Sequence, residues 1–435
     1  MSTGEEQCLA SPYQFMHKLK AIVVGGGFSA VATAKYLHKT HGFETTVIAP
    51  NSHFCFIPDI PITFLQPKTF SKRQVSLAFE CDHVQNFIQG RVTAIDYAGQ
   101  EVTYIPTLEG YDPVLTKESY DVLVLAHGLS WAIPTDTLEA FSTTEGAPLL
   151  INGYDSNVVG MEGTRTAVQT AKNIVVIGSG ATGIEYATYI AKQCPEAKVS
   201  ILSRSSEVLA AEKLPKKTRK QVDTAVSKLG VDVHPNVTNI QPKEGGLTYM
   251  VPAEEEGAVP EEKTIDADVV VWAAGTFTAP DITVSMAPEV EDQPMGRTVD
   301  VDTHLNVLVG DKPVPFVWAV GSCARIDDKS DCNFVHYMDA QAKLAARNMA
   351  VVRKQVMKEP SRGQETLAHR GRFPQMERGK EYADVGVDTY PHLIYLGKKT
   401  LFVEYSKSGK ATVAMNSLIT RLKYAVWYKY FHFDM

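Results

Sequence analysis

The sequence predicts an α/β protein in which parallel strands alternate with helices. Two stretches, beginning at Lys20 and at Lys172, each read as a strand, a glycine-rich turn, a helix and a second strand. Three further apolar strands, at 120–128, 266–275 and 314–321, also end in glycine. Units of this kind pair their strands in parallel and direct the helix N-terminus to the carboxyl end of the first strand. The pattern indicates two nucleotide-binding domains or two halves of one.

Length and composition are those of a globular protein of two or three domains. The 435 residues are 44% hydrophobic and 21% charged, which excludes a disordered chain or a fibre. Lys and Arg number 43 against 50 Asp and Glu, for a net charge of −7. Because phosphates are neutralised by a basic surface, we expect no nucleic-acid partner.

The N-terminal residues and the cysteines favour an intracellular location. Residues 1–18 lack the apolar stretch of a secretory signal, and Glu5 and Glu6 disfavour a mitochondrial presequence. Six cysteines in a chain of this length do not form a disulfide scaffold. We expect a protein that faces the cytosol or lies at the surface of an organelle membrane.

The first glycine-rich turn is GGGFSA at 25–30, between a strand at 20–25 and a helix at 29–40. Its glycines allow a tight turn and let a pyrophosphate approach the main chain, and the helix N-terminus attracts the phosphate charge. The alternative is a glycine-rich turn that binds nothing. The predicted cofactor-binding residues of this turn are Gly25, Gly26, Gly27, Phe28, Ser29 and Ala30.

The strand that follows, at 44–49, lacks the acidic residue that normally ends it and holds a ribose. Ala49 and Pro50 stand at that place, and Asn51 comes next. We therefore expect the ribose to be held by Asn51 or by the main chain of this segment.

The second glycine-rich turn, GSGATG at 178–183, matches the dinucleotide pattern fully and precedes a helix at 182–193. The next strand, at 198–202, ends in Ser203 and Arg204 instead of an acid. Loss of the carboxylate removes repulsion against a 2′-phosphate, and arginine pairs with phosphate, so we expect NADPH to be favoured over NADH, or both to be accepted. The alternative is that Arg204 is a solvated surface residue. The predicted binding residues in the turn are Gly178, Gly180, Ala181, Thr182 and Gly183.

Together the two motifs resemble the flavoprotein oxidoreductases with two dinucleotide-binding domains, over roughly residues 20–350. In that family the first motif binds FAD and the second binds NADH or NADPH. The resemblance implies two Rossmann-like domains, the second inserted in the first. It implies an FAD-binding domain at 18–160 and 282–350, an NAD(P)H-binding domain at 161–281, and a C-terminal α+β region at 351–435 that ends in an amphipathic helix.

Several strands carry the same resemblance. RVTAID (91–96), YDVLVLAHG (120–128), DADVVVWAAG (266–275) and VPFVWAVGSCA (314–324) are similar to family strands around the cofactors. They add Val92, Ala126, His127, Gly128, Gly275, Gly321 and Ser322 to the predicted cofactor-binding residues. Ser322 replaces an aspartate that holds the flavin ribityl chain in the family. A serine offers a hydrogen bond without charge, so FAD binding could be weaker, and a degenerate, non-catalytic flavoprotein is an alternative.

Two groups within the family are most similar. The stretch 195–233 and the first motif resemble the apoptosis-inducing-factor-like ferroptosis suppressors, while VVVWAAG resembles type II NADH dehydrogenases. Both groups pass electrons from NAD(P)H through FAD to a quinone, which is the activity the resemblance implies. The alternatives are a soluble reductase of another acceptor and a sulfide:quinone oxidoreductase-like enzyme, for which Cys55 and Cys332 would be the cysteine pair.

The resemblance also suggests two residues for catalysis. Glu185 resembles a family glutamate near the nicotinamide, although a helix N-terminus also favours an acidic residue there. Gln341 lies in a predicted helix at 337–350, where an Ala-Gln pair of type II dehydrogenases lies near the quinone. No HExxH or Cys/His cluster occurs, so no metal is expected.

Segments outside the two motifs are less specific. Residues 243–264 read as a surface hairpin or loop, and 353–384 as an irregular basic connection. The tail at 417–435 has an apolar helical face with aromatic and basic residues. This pattern is typical of a helix at a membrane surface, and the alternative is a helix packed on the protein body or in a homodimer.

Overall fold

A computed structural model describes residues 18–40, 42–55, 60–66, 74–78, 81, 83–153, 158–211, 214–253, 259–275, 277–278, 280–285, 291–326, 335–358, 390–396, 399–405 and 411–416. The predicted tail helix at 417–435 lies outside these residues, as do Cys332 and the segment 359–384. For the part of the chain that is described, no helix is long and apolar enough to cross a membrane.

The helices occur between strands, as the sequence pattern predicts. They are α1 Phe28–Lys39, α2 Ile60–Thr63, α3 Thr135–Thr143, α4 Val158–Thr170, α5 Ala181–Gln193, α6 Lys216–Ser227 and α7 Val335–Lys358, with a 3₁₀ turn at Gly321–Cys323.

The strands are numbered in chain order. The first thirteen are β1 Leu19–Val24, β2 Phe43–Ala49, β3 His53–Cys55, β4 Gln74–Ser76, β5 Asn86–Asp96, β6 Glu101–Pro106, β7 Thr116–Ser119, β8 Val122–Leu125, β9 Ser130–Trp131, β10 Leu149–Asn152, β11 Asn173–Ile177, β12 Lys198–Leu202 and β13 Val231–His234. The others are β14 Thr238–Lys243, β15 Gly246–Val251, β16 Glu261–Asp266, β17 Val269–Trp272, β18 Phe277–Thr278, β19 Thr283–Ser285, β20 Gln293–Pro294, β21 Val299–Asp300, β22 Asn306–Val309, β23 Lys312–Ala319, β24 Ala324–Arg325, β25 Tyr390–Leu396, β26 Lys399–Tyr405 and β27 Ala411–Asn416.

The first sheet is centred on a parallel run in the order β5–β2–β1–β8–β23. Its inner strands are almost entirely apolar and buried, as expected for a sheet covered on both faces. Next to β5, β6 pairs antiparallel with it and β7 pairs antiparallel with β6, while β19 adds to β5 in parallel. At the other edge, β22 pairs antiparallel with β23.

The second sheet is formed by chain that lies between β8 and β23. Its order is β10–β17–β11–β12–β13, and all four neighbouring pairs are parallel. The chain therefore leaves the first sheet, builds a second and returns. This confirms the predicted α/β class with the second unit inserted in the first. The domain boundaries stay predictions, and β10 pairs within the second sheet although it precedes the expected boundary at 161.

Element bounds differ from the expected ones at helix α7, whereas the hairpin that was one of the two expectations for 243–264 is present. Helix α7 continues to Lys358, so the expectation of an irregular connection from 353 is wrong for its first six residues. The reason is that no glycine or proline interrupts the chain before Pro360. Strands β15 and β16 pair antiparallel, and β14 extends the pair to three strands.

Helix α7 packs along α1, and this contact positions the residues near its N-terminus. The Tyr36 hydroxyl of α1 lies 3.0 Å from both carboxylate oxygens of Asp339 on α7. Burial raises the pKa of Asp339 despite this hydrogen bond. Ala342 and Ala345 are fully buried, and such small side chains allow two helices to lie close together.

Candidate functional site

A crevice opens where β1 and β8 end side by side. From β1 the chain passes through α1 to β2 on one side, while β8 lies on the other, so the strand order reverses here. Ligands of open α/β sheets bind at such a reversal, beyond the carboxyl ends of the strands. Gly25 follows β1 at φ +123°, and a Cβ on it would lie 2.3 Å from the Ala126 carbonyl oxygen. Only glycine allows the two segments to approach this closely.

The N-terminus of α1 faces this crevice. Gly27 caps the helix without a side-chain hydrogen bond, and a Cβ added to it would meet nothing within 4 Å. Phe28 is half-buried, while Ser29 and Ala30 are buried under the first turn. The first N–H groups of a helix have no partner within the helix and can bind an anion, so this open cradle fits the pyrophosphate of a dinucleotide.

The end of β2 borders the same crevice. Ala49 is buried, and the Pro50 carbonyl accepts hydrogen bonds from the Thr107 hydroxyl at 2.9 Å and the Gln89 amide at 3.5 Å. Asn51 is exposed and stays the predicted ribose contact. Val92 is buried on β5, next to β2 in the sheet.

The turn after β23 meets the first turn of α1. Gly321 has φ +81°, and a Cβ on it would lie 2.0 Å from the Ser29 hydroxyl oxygen. The Gly321 N–H donates to the Gln341 side-chain oxygen at 2.6 Å. Ser322 follows in a half-buried position. The structure thus brings the predicted residues Ser29, Gly321, Ser322 and Gln341 together.

A thiol and an imidazole lie behind the turn. Cys323 is fully buried, with its sulfur 3.2 Å from the Val320 carbonyl oxygen. Burial acts to lower the pKa of His127, but the neighbouring Cys323 outweighs it and holds that pKa above its usual value. Burial acts to raise the pKa of Cys323, and the His127 imidazole lowers it instead. The two groups therefore favour an imidazolium–thiolate pair, which carries no net charge, and Gly128 follows His127 at φ +70°.

The second glycine-rich turn repeats the arrangement of the first. A Cβ on Gly178 would lie 2.8 Å from the Ala273 carbonyl oxygen, so β11 and β17 end side by side. A Cβ on Gly183 would lie 2.0 Å from the Gly178 oxygen, whereas one on Gly180 would meet nothing within 4 Å. Gly180 caps α5 without a side-chain hydrogen bond, and Ala181 and Thr182 are half-buried behind it. A second dinucleotide fits this cradle.

The two residues after β12 differ in exposure: Ser203 is buried and Arg204 is exposed. Ser203 is 1% exposed, and its hydroxyl lies 2.6 Å from the Ser179 hydroxyl and 3.1 Å from the Ser205 N–H. The Ser203 hydroxyl therefore stabilises the loop after β12. Its partner Ser179 was not predicted from the sequence, where its position inside the second glycine-rich motif was the only signal. Arg204 is exposed, as is Gly275 beyond β17.

Glu185 is buried in α5 and binds the C-terminal sheet. The main-chain N–H of Tyr395 donates to the Glu185 carboxylate at 2.8 Å. The Thr188 hydroxyl donates to the Tyr395 carbonyl at 3.3 Å, and the Lys192 ammonium to the Tyr395 hydroxyl at 3.0 Å. These three residues share one face of the helix. Sequence reasoning missed Tyr395 because no local pattern links positions so far apart.

The remaining titratable groups offer less chemistry. Burial raises the pKa of the Cys55 thiol to about 12, so a thiolate is disfavoured there. Across the described residues, no group of three or more His, Cys, Asp or Glu side chains could hold a metal ion.

Comparisons with known proteins agree with this geometry. A family profile described as pyridine nucleotide-disulphide oxidoreductase matches residues 19–347. Ferroptosis suppressor protein 1 of Xenopus tropicalis is 23% identical over 350 residues, which cover 78% of this chain and 83% of that protein. External alternative NAD(P)H-ubiquinone oxidoreductase B3 of Arabidopsis thaliana, a mitochondrial protein, is 23% identical over 343 residues, or 72% of this chain and 56% of that protein. Sulfide:quinone oxidoreductase of Aquifex aeolicus superposes with a TM-score of 0.66 at 16% identity, covering 95% of this chain and 90% of that one.

Filling either open cradle with a methyl group should weaken one dinucleotide selectively. We expect Gly27→Ala to raise the Kd of FAD about tenfold, and Gly180→Ala to do the same for NAD(P)H, because the new Cβ occupies pyrophosphate space. Titrations of flavin and nicotinamide fluorescence measure both constants. Gly163→Ala, which also meets nothing within 4 Å, is the control. Unchanged affinities in both variants would contradict the assignment.

Removing the Glu185 carboxylate should release the C-terminal strand. Glu185→Ala leaves the buried Tyr395 N–H without its acceptor, so we expect hydrogen exchange in 390–396 to accelerate at least fivefold. Glu185→Gln keeps an oxygen acceptor and should exchange like the wild type. Mass spectrometry measures the exchange rates. Equal rates in Glu185→Ala and in the wild type would show that the carboxylate does not hold the strand.

Proposed function

The chain belongs to the pyridine nucleotide-disulphide oxidoreductase family, whose members are flavin-dependent oxidoreductases, and from this premise we propose that it is an FAD-dependent NAD(P)H:quinone oxidoreductase. The observation that carries the proposal is the pair of uncapped, open helix N-termini at Gly27 and Gly180, one in each domain. Each one fits a dinucleotide, as transfer from one bound dinucleotide to another requires.

The chain's own residues serve binding and orientation. FAD, when bound, supplies the capacity to accept hydride from NAD(P)H and to pass electrons to a second substrate. The first cradle would hold its pyrophosphate on the N-terminus of α1, beside the Gly321 turn that lies against Ser29. The second cradle would hold the nicotinamide dinucleotide on α5. No side chain has to act as an acid or base in the hydride step.

Two observations support NADPH as the preferred donor. Arg204 is exposed beside the second cradle, where it can pair with a 2′-phosphate. The neighbouring Ser203 hydroxyl is occupied by Ser179 and Ser205, so that position brings neither a carboxylate nor a free polar group to the ribose. NADH remains a substrate in this proposal, with lower affinity.

The names of the relatives support a quinone as the acceptor. The plant relative is an NAD(P)H-ubiquinone oxidoreductase, and a quinone is a lipid-soluble molecule. Peripheral membrane association through 417–435 suits such an acceptor, and a location at the surface of an intracellular membrane follows from it. A homodimer formed by the same tail is the alternative role for it. A sulfide:quinone oxidoreductase-like reaction is less well supported, since the raised pKa of the half-buried Cys55 thiol disfavours a thiolate.

The visible spectrum of the purified protein tests the whole scheme. We expect flavin absorption near ~450 nm that bleaches on anaerobic addition of NADPH and returns on addition of a quinone analogue. A protein that stays colourless after incubation with FAD would contradict the proposal and favour the degenerate flavoprotein. A flavin that is reduced by NADPH but not reoxidised by quinone would indicate another acceptor.

The nucleotide preference rests on Arg204. We expect Arg204→Gln to raise the KM for NADPH about tenfold and to leave the KM for NADH within twofold, because only NADPH carries the 2′-phosphate. Steady-state rates with a quinone analogue, measured over a range of concentrations of each nucleotide, give both values. Lys243→Gln, an exposed cation on the hairpin, is the matched control. An equal rise in KM for NADPH and NADH would show that Arg204 does not recognise the 2′-phosphate.

A further inference from the structure

A segment that starts and ends beside the first sheet packs in the core of the second. Phe54 on β3 and Leu77 just after β4 are buried in the core around the first sheet. Between these two strands, Ile60, Phe64 and Leu65 are buried in the core that surrounds α5. The chain therefore crosses from one core to the other and returns.

Helix α4 of the second unit holds this segment through one hydrogen bond. The Phe64 N–H donates to the Ile60 carbonyl at 2.9 Å, which closes the single turn of α2. Carbonyl groups at the end of a helix lack partners within it. The Arg165 Nε on α4 donates to the Phe64 carbonyl at 2.7 Å. A cation in this position stabilises the end of the turn, so Arg165 fixes the main chain of the segment.

Helix α5 contacts another side of the segment. The Phe64 and Tyr186 rings meet edge to face, with their centroids 5.1 Å apart, and the Gln66 amide donates to the Tyr189 hydroxyl. The Tyr186 hydroxyl donates to the Gly153 carbonyl at 2.6 Å. Gly153 follows β10, whose carboxyl end lies at the same edge of the second sheet as the second cradle. The segment is therefore attached to the edge of the sheet where the nicotinamide dinucleotide would bind.

The other end of the connection lies at the rim of the first crevice. Strand β3 begins at His53, shortly after Asn51, the predicted ribose contact. The Leu77 N–H donates to the Ser52 carbonyl at 3.0 Å, so the chain that returns from α2 is tied to the chain that leads to it. The segment thus joins the rim of the first cradle to the edge that carries the second.

We propose that the segment 60–66 fixes the second cradle relative to the first, and that Arg165 is a positioning residue for hydride transfer between the two dinucleotides. The inference rests on the proposed function, because it requires FAD in one cradle and NAD(P)H in the other. The hydride carries two electrons from NAD(P)H, which is oxidised, to the flavin, which is reduced. This transfer requires close contact, so a displacement of about 1 Å lowers its rate strongly. Arg165 acts through the main chain of Phe64 and takes no part in the chemistry.

The test measures the anaerobic rate of flavin reduction at saturating NADPH by stopped flow. Arg165→Met keeps a long side chain and removes the donor, so we expect this rate to fall about tenfold while the Kd values of FAD and NADPH stay within twofold of wild type. Arg165→Lys still offers an N–H to the carbonyl and should restore the rate to within threefold. Gln169→Met, at an exposed position of the same helix, is the matched control and should leave the rate unchanged.

Hydrogen exchange tests the contact without any cofactor. A single helical turn does not persist in water by itself. If the segment is docked in the wild type, we expect the Phe64 N–H to exchange at least a hundredfold more slowly than in an unfolded chain. Arg165→Met should accelerate exchange in 60–66 at least fivefold, and Gln169→Met should not change it.

Two results would overturn the inference and leave the proposed function intact. One is rapid exchange of the segment 60–66 in the wild type, which does not depend on how any variant folds. The other is faster exchange in Arg165→Met with an unchanged rate of flavin reduction at saturating NADPH, which would make the contact purely structural. A wild-type flavin that NADPH does not reduce would overturn both the inference and the proposed function.

Discussion

The close approach of two main-chain segments at the ends of adjacent parallel strands is the constraint on which this structure depends. It occurs twice, between Gly25 and Ala126 and between Gly178 and Ala273. In each case the absence of a side chain lets the strand turn directly into a helix whose N-terminus faces the gap. Each contact lies at the carboxyl ends of two adjacent parallel strands, one pair in each sheet, and each borders one anion cradle.

How much of this was visible in the sequence follows from the range of each interaction. The two glycine-rich turns and their flanking strands and helices were predicted within one or two residues, because tight turns and apolar runs leave local signals. Helix α7 was longer than expected, since a basic composition was taken for a loop. The contacts of Gln341 with Gly321 and of Glu185 with Tyr395 join distant parts of the chain, and no spacing rule announces them.

At the two positions where the expected acidic residue is missing, the ends of β2 and β23, uncharged groups make the hydrogen bonds instead. At the end of β2, the Pro50 carbonyl is bound by Thr107 and Gln89, which ties the β5–β6 ribbon to the crevice rim. At the end of β23, the turn that carries Ser322 is held by Gln341 from α7. In both places the missing carboxylate is accompanied by an uncharged hydrogen-bond framework that fixes the main chain. Shape, with little local charge, therefore defines much of the crevice wall.

Because Tyr395 binds α5, the core around α5 is completed only when the C-terminal strand β25 folds onto it. Ile394, Leu396 and Leu401 belong to the same buried cluster as α5, although about two hundred residues separate them in the chain. During synthesis from the N-terminus, the face of α5 that packs on this strand therefore stays open until residues 390–401 emerge. Long-range closure of this kind slows folding and exposes surface to aggregation. The nucleotide domain thus completes its core late, and a ribosome-bound intermediate with an uncovered helix is a natural substrate for chaperones.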